Sequence, residues 1–327
     1  MRALVTGVAG FIGSTLADRL LKDGHEVVGV DSFEDYYPRP LKIANLAAAQ
    51  DNPRFTLVEG NLLDLGASGS VYGCAPLVRQ AIAESDHVFH LAAQAGVRAS
   101  WGRSFRTYAE NNVLATQLIL EECRESGVKR IVYASSSSVY GDSTQLPLRE
   151  DGPCRPLSPY GVTKLAGEHL CDLYMQNYGV PAVSLRFFTV YGPRQRPDMG
   201  FHRFMRAQLD DEEIAVFGDG EQTRDFTYVD DIVDGLLAAT DAPTGSIMNL
   251  GGGSRVSLID ALRALESATG IPVRRRLQAP QAGDVRHTWA DVSAARRILG
   301  FSPKMSLENG LRREYEWLRA QSGLDPR

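Results

Sequence analysis

The stretch "TGVAGFIG", Thr6 to Gly13, most constrains what this chain can become. It follows the β-branched run "RALVT" and opens the helical pattern "FIGSTLADRLLKDG". Gly7, Gly10 and Gly13 have GxxGxxG spacing. Glycines at a strand-to-helix turn let backbone N–H groups and the helix N-terminus approach a pyrophosphate closely. A glycine triplet alone is a weak signal, because tight turns use glycine anyway. The context adds weight: the next run, "EVVGVD", is a second strand ending on Asp31. An acid at roughly this offset, ~20 residues, accepts hydrogen bonds from ribose hydroxyls. Its charge repels the extra phosphate of NADP, and "DSFEDYY" offers no arginine to receive one. The expected cofactor is NAD.

The same rhythm continues. "FTLVEGN", "HVFHLAA", "RIVYASSS" and "AVSLRFF" read as strands, with helical patterns between them, including "SFRTYAENNVLATQLILEECRESG" and "SPYGVTKLAGEHLCDLYMQNYG". Strands apolar on both faces and alternating with helices predict an α/β fold, a doubly wound parallel sheet of Rossmann type. Past "VYGPRQRPDMG" the elements shorten, and arginine, proline and glycine become dense. This predicts a smaller mixed α/β substrate-binding lobe. The expected division is 1–189 for the nucleotide domain and 190–327 for the lobe, with some segments returning to the first domain.

A net charge of −5 argues against a general polyanion binder, so no nucleic-acid partner is expected. Apolar runs stop short of membrane-spanning length, so no membrane partner is expected either. Cys74, Cys123, Cys154 and Cys171 show no metal-ligand spacing, and no metal is expected. They read as reduced thiols, and the first residues run directly into a strand pattern, so the expected location is the cytoplasm.

"SPYGVTKLAGEHL" places Tyr160 and Lys164 four apart, on one helix face. A phenol titrates near ~10, and a neighbouring ammonium favours its ionised form, which suits a general base. Alone, such a pair is common by chance. It gains meaning from the glycine turn and from "RIVYASSSSVYGD", an apolar run that ends on Ser135 to Ser138.

With these motifs the chain resembles the extended short-chain dehydrogenase/reductases, and among them the nucleotide-sugar epimerases. The motifs are "TGVAGFIG", "HLAAQAGVR", "NNVLAT", "ASSSSVYG", "YGVTK", "LRFFTVYGP" and "RDFTYVDD", spread over essentially the whole length. The resemblance implies that Tyr160 takes a proton from a sugar hydroxyl while NAD accepts hydride from the same carbon. It implies that Lys164 binds the nicotinamide ribose and lowers the pKa of Tyr160. Ser136, four residues before Tyr140, would hold the reacting oxygen. Cofactor contacts are implied for Gly7, Gly10, Phe11, Ile12, Gly13, Asp31, Asn61, Leu62, Leu91, Ala92, Ala93, Tyr160 and Lys164. Asn61 stands where the family usually has an acid. Gln281 in "PQAGD" stands where an arginine is often found, and Arg286 is a candidate to compensate.

Arg186, Arg194, Arg196 and Arg224 gather in family motifs at the lobe boundary, and a diphosphate needs such donors. The resemblance singles out Arg196 and Arg224. "AVFGDG" resembles the segment that reads a uracil ring, which points to Val216 and Phe217, so the implied substrate is a UDP-sugar. Dehydratases and decarboxylases of the family carry an acid where this chain has Ser137 or Ser138. Neutral hydroxyls of Ser137, Ser138 and Thr189 suit a sugar carboxylate, which they can hydrogen-bond without repelling. "RFFTVYGPRQRPDM", "SPYGVTKLAGEHL" and "FEDYYPRPLKIANL" look like the uronate epimerases. The implied reaction is reversible C4 epimerisation of UDP-glucuronate and UDP-galacturonate through a 4-keto sugar. A UDP-glucose 4-epimerase and a UDP-glucuronate decarboxylase remain as alternatives. His90 reads as a packed histidine beside the cofactor. Arg98 and Trp101 read as substrate contacts or loop closers, and Asn112 as a backbone anchor. The helices of "YAENNVLATQLIL" and "YGVTKLAGEHLCDLY" resemble those of a homodimer interface.

Overall fold

The computed structural model describes residues 1–66, 73–279 and 285–321. In chain order the strands are β1 Arg2–Thr6, β2 Glu26–Asp31, β3 Phe55–Glu59, β4 His87–His90, β5 Arg130–Ser136 and β6 Ala182–Phe187. There follow β7 Thr189–Tyr191, β8 Ile214–Phe217, β9 Thr223–Arg224, β10 Phe226–Tyr228, β11 Ile247–Leu250, β12 Val256–Ser257 and β13 Arg275–Gln278. Seven form one parallel sheet in the order β11-β6-β5-β4-β1-β2-β3. The winding reverses between β1 and β4, and ligands bind such sheets at the carboxyl ends beside that reversal.

Both faces of the sheet are covered, which explains the unbroken apolar runs. Leu4, Val28, Val88 and Ile131 pack into one layer, and Val5, Val27, Phe89 and Val132 into the other. β11 was not legible as a strand; it pairs with β6 and brings the chain back from the lobe into the main sheet. The lobe holds the short pairs β10-β7, β12-β9 and β13-β8. Helix Val229–Ala238 also returns, and Asp234 on it pairs with Arg19 on the first helix at 2.9 Å.

The first helix, Phe11–Lys22, starts on Gly10 and is followed by Gly24 at φ 87°. The helix Pro159–Tyr178 is capped by Ser158, whose Oγ accepts from the Gly161 N–H at 3.1 Å, and it stops at Gly179 in the left-handed region. Between them, the run expected as one helix is broken. Phe105–Tyr108 and Ala115–Cys123 are α-helical, and Ala109–Leu114 between them is a π-helix. Asn112 sits in that turn. Its Nδ2 donates to Thr163 Oγ1 at 2.9 Å and to Gln94 O at 3.0 Å, and its Oδ1 accepts from Gln94 N at 2.7 Å. A widened turn that aims a side chain inward is common near functional sites. The four cysteines are free thiols.

Candidate active site

Two cavities lie beyond the carboxyl ends of the sheet, and Tyr36 lines both. The first is built on the glycine turn. Gly7 sits at φ 70°, and a Cβ there would lie 2.8 Å from the Ala92 nitrogen. A Cβ on Gly13 would strike the Gly7 carbonyl oxygen and lie 2.9 Å from its carbon. The helix N-terminus therefore presses onto the turn, leaving a bare backbone cradle of the kind a pyrophosphate occupies. The Asp31 carboxylate stitches the cradle to β2, accepting from Ala9 N at 2.9 Å and Phe33 N at 2.8 Å. Burial raises its pKa. A carboxylate has about four acceptor positions, so two stay available for a diol.

Gly7, Gly10, Phe11, Ile12, Gly13, Asp31, Asn61, Leu62, Leu91, Ala92, Ala93, Tyr160 and Lys164 all line this cavity. Lys42 also lines it and was missed. Its buried ammonium donates to the Glu34 carbonyl at 2.5 Å and lies 4.8 Å from the Tyr37 ring centre. The only sequence signal was the likeness of "FEDYYPRPLKIANL" to one family, which named no residue. Asn61 is held by a bond from its Nδ2 to Glu34 at 3.2 Å and one to its Oδ1 from Leu63 N at 2.9 Å.

At the far end the Tyr160 phenol lies beside the Ser136 hydroxyl. Burial pushes the Tyr160 phenol up, while the Ser136 hydroxyl and the Arg196 guanidinium pull it down. The expected partner of the phenol was Lys164. Its ammonium instead donates to the Ala134 carbonyl at 2.9 Å, and burial lowers its pKa to about 8. The i,i+4 spacing places both side chains on one face, but the strand edge beneath decides where the long lysine points. His90 is packed as expected. It is 2% exposed, its ring nitrogens lie 2.8 Å from Thr6 Oγ1 and 3.0 Å from Thr116 Oγ1, and burial lowers its pKa to about 3.

The second cavity is lined by Thr189, Phe217 and Arg224, with Arg98 and Phe226. The Arg98 guanidinium stands 4.6 Å over the Phe217 ring, tying the segment after β4 to β8. Arg224 donates to the carbonyls of Thr223 and Arg286 at 2.9 and 3.2 Å. Arg196 faces the first cavity and grips Asp198 through two bonds of 2.9 and 3.0 Å; Tyr36 donates to the same carboxylate at 3.1 Å. Asp198 and Tyr36 had no signal beyond their nearness to Arg196 and to the "FEDYY" run.

Other expected residues lie elsewhere. Arg186 is 3% exposed near the carboxyl end of β6 and pairs with Glu168 at 2.7 Å, because a cation between two covered faces needs a buried partner. Arg194 is taken by Asp18 on the first helix at 2.6 Å, and Arg286 by Asp219 at 2.9 Å. Neither Arg186 nor Arg194 lines either cavity as described. Ser136, Ser137 and Ser138 are not among the residues lining either cavity, and the Ser136 hydroxyl donates to Ser138 Oγ at 3.2 Å. The Val216 side chain is buried in the core, leaving Ala215 and Phe217 to face the second cavity. Trp101 is exposed, and Gln281 lies outside the described residues. Among the described residues no cluster of metal-ligating side chains occurs, and no helix is long and apolar enough to cross a membrane.

The bare glycine turn, the Asp31 carboxylate and the Tyr160–Lys164 pair thus share one groove. Residues 3–251 match the NAD dependent epimerase/dehydratase family. The chain belongs to that family. Among curated family members it is 44% identical over 321 residues to the uncharacterized UDP-glucose epimerase YtcB of Bacillus subtilis, covering 97% of this chain and 98% of YtcB. It is 38% identical to the UDP-glucuronate 4-epimerase of Thermodesulfobacterium geofontis, over 96% of this chain and 95% of that one. Among solved structures, UDP-glucuronic acid 4-epimerase from Bacillus cereus, in complex with UDP-glucuronic acid and NAD, superposes with a TM-score of 0.91. The two are 42% identical, over 98% of this chain and 99% of that one.

Proposed function

We propose that this protein interconverts UDP-glucuronate and UDP-galacturonate by epimerisation at C4, with NAD held in the first cavity. The observation that carries the reading is the neutral end of β5. Ser136 stands beside the Tyr160 phenol, and the two residues after it are hydroxyls, where elimination or decarboxylation chemistry calls for an acid. The likeness to a solved uronate epimerase along nearly the full chain supports it. Gly7, Gly10 and Gly13 fit the pyrophosphate, Asp31 the adenine-side ribose, and Lys164 the nicotinamide ribose. When bound, NAD supplies a hydride acceptor and donor for the sugar C4.

The chain's own residues do the rest. Tyr160 takes the O4 proton and Ser136 holds that oxygen as it becomes a carbonyl. Arg196 and Arg224 hold the diphosphate, while the Val216 backbone and Phe217 hold the uracil. The 4-keto sugar turns about its diphosphate link, and Tyr160 returns the proton to the other epimer. No electrons are gained or lost overall. Ser137, Ser138 and Thr189 hold the carboxylate near the plane of the new C4 carbonyl. A β-keto acid loses CO2 fastest with that bond perpendicular to the plane, so this orientation protects the 4-keto sugar until C4 is reduced again.

The likeness to YtcB favours a second reading, a neutral UDP-hexose 4-epimerase. One incubation separates them. Purified protein is mixed with UDP-glucuronate, without added NAD, and followed by proton NMR. An equilibrium mixture with UDP-galacturonate supports the uronate reading and a tightly held cofactor. A UDP-pentose, or turnover of UDP-glucose alone, refutes it. The same reading takes 1–189 as the nucleotide domain and 190–327 as the lobe, and places the protein in the cytoplasm. It also takes the chain as a homodimer through the helices bearing exposed Leu114, Val162 and Leu173, which light scattering would test.

A further inference from the structure

We propose that the buried Glu168–Arg186 pair is a positioning device that sets the catalytic helix on β5. The inference rests on the reading that Tyr160 and Ser136 carry the proton chemistry. Tyr160, Lys164 and Glu168 follow one another at four-residue steps along Pro159–Tyr178. They form a single stripe roughly 12 Å long on the helix face. The rungs face three consecutive residues of β5, and two of them are bonded there. Lys164 donates to Ala134 O at 2.9 Å and the Ser135 hydroxyl donates to Glu168, while the Tyr160 phenol lies beside Ser136.

Lys164 and Tyr160 also serve the cofactor and the sugar. Glu168 serves neither, so it is the rung that stays fixed during a turnover. Arg186 on β6 grips its carboxylate with two N–H groups, Nε at 2.9 Å and Nη2 at 2.7 Å. Arg186 is held in turn by Tyr140, to whose hydroxyl it donates at 2.9 Å, and Tyr140 donates to Asn249 on β11 at 2.7 Å. One carboxylate thus ties the catalytic helix to three neighbouring strands of the sheet. Both partners are 3% exposed. A buried ion pair is commonly no more stabilising than apolar residues of the same volume. What a planar fork adds is direction, since it fixes the plane and depth of the carboxylate it holds.

The test replaces the pair by apolar side chains, as Glu168→Leu with Arg186→Met, in the NAD-loaded enzyme. The expected result is an unfolding midpoint at or above wild type, with kcat on UDP-glucuronate reduced roughly 100-fold and KM changed less than about threefold. A kcat within about threefold of wild type overturns the proposal. So does a loss of kcat that merely follows a lowered midpoint, for then the pair is only a stabiliser. If the double variant does not fold, Arg186→Lys decides: it keeps the charge and loses the fork. It should lose about tenfold in kcat at unchanged KM, and a loss under about twofold overturns the proposal. Wild-type conversion of UDP-glucuronate tests the substrate reading separately. Should that fail, the emission of NADH bound in place of NAD becomes the readout. Variant emission shifted towards free NADH supports the positioning role, and emission identical to wild type overturns it.

Discussion

Gly167→Ala gives a sharp test of how closely the catalytic helix lies on the sheet. A Cβ there would strike the Tyr133 hydroxyl and lie 2.5 Å from Cζ and 3.1 Å from Cε1. Carbons prefer about 3.5–4.0 Å, so the shortfall is about 1 Å. Tyr133 is 1% exposed, stacked 6.0 Å from His90, and donates to the Lys164 carbonyl at 3.3 Å. It has nowhere to retreat. Overpacking of this kind costs about 1–3 kcal/mol. The strained hydrogen bond adds about 1 kcal/mol, and the better helix propensity of alanine returns about the same. The net is a destabilisation of about 1–3 kcal/mol, a fall of a few degrees in unfolding midpoint. A helix displaced by about 1 Å also separates Tyr160 from Ser136, which lowers kcat by up to ~100-fold. Thermal unfolding and steady-state turnover, both with NAD saturating, provide the assay. Gly127→Ala is the control, since its Cβ would meet nothing within 4 Å. A Gly167 variant that unfolds at the wild-type midpoint with kcat within twofold would refute the close packing.

Three further outcomes follow from charge and burial. Burial lowers Lys164 to about 8, so its ammonium is present below that pH and lost above it; kcat/KM should fall as pH rises through about 8, and a profile flat to pH 10 would contradict this. Burial raises Asp225 to about 6, although its carboxylate accepts from Gly252 N at 2.6 Å and Ala290 N at 3.0 Å. A raised acid contributes stability that is complete below its unfolded pKa of 3.8 and lost as pH rises through about 6; the loss is on the order of 2–3 kcal/mol. Unfolding free energies from pH 4 to 7 should show that slope, and Asp225→Asn should flatten it even if it lowers stability throughout. Ser137→Ala with Ser138→Ala should raise the share of UDP-pentose formed from UDP-glucuronate; a slower enzyme with the same product ratio would remove their carboxylate role.

Local pattern was enough for β1 and β2, whose observed bounds are those of "RALVT" and "EVVGVD". It was enough for the glycine cradle and for the face shared by Tyr160 and Lys164. These features arise from residues within one or two turns of each other, so sequence spacing reports them directly. Long-range partners were not legible. Glu168 and Arg186 are 18 residues apart, and Tyr36 meets Asp198 across 162. Nothing in an arginine's neighbours along the chain says whether it faces solvent, an anion or a buried carboxylate. Arg186 stood in the same group of candidate diphosphate donors as Arg196 and is a buried strut; Arg196, ten residues on, faces the cavity. Burial decides between such outcomes, because a cation taken out of water must find a partner, and which partner depends on which strands lie side by side. The sequence by itself determined a doubly wound sheet with a glycine cradle and a Tyr160–Lys164 pair on one helix face. The tertiary structure alone decided which polar groups were spent holding the site together and which were left to act.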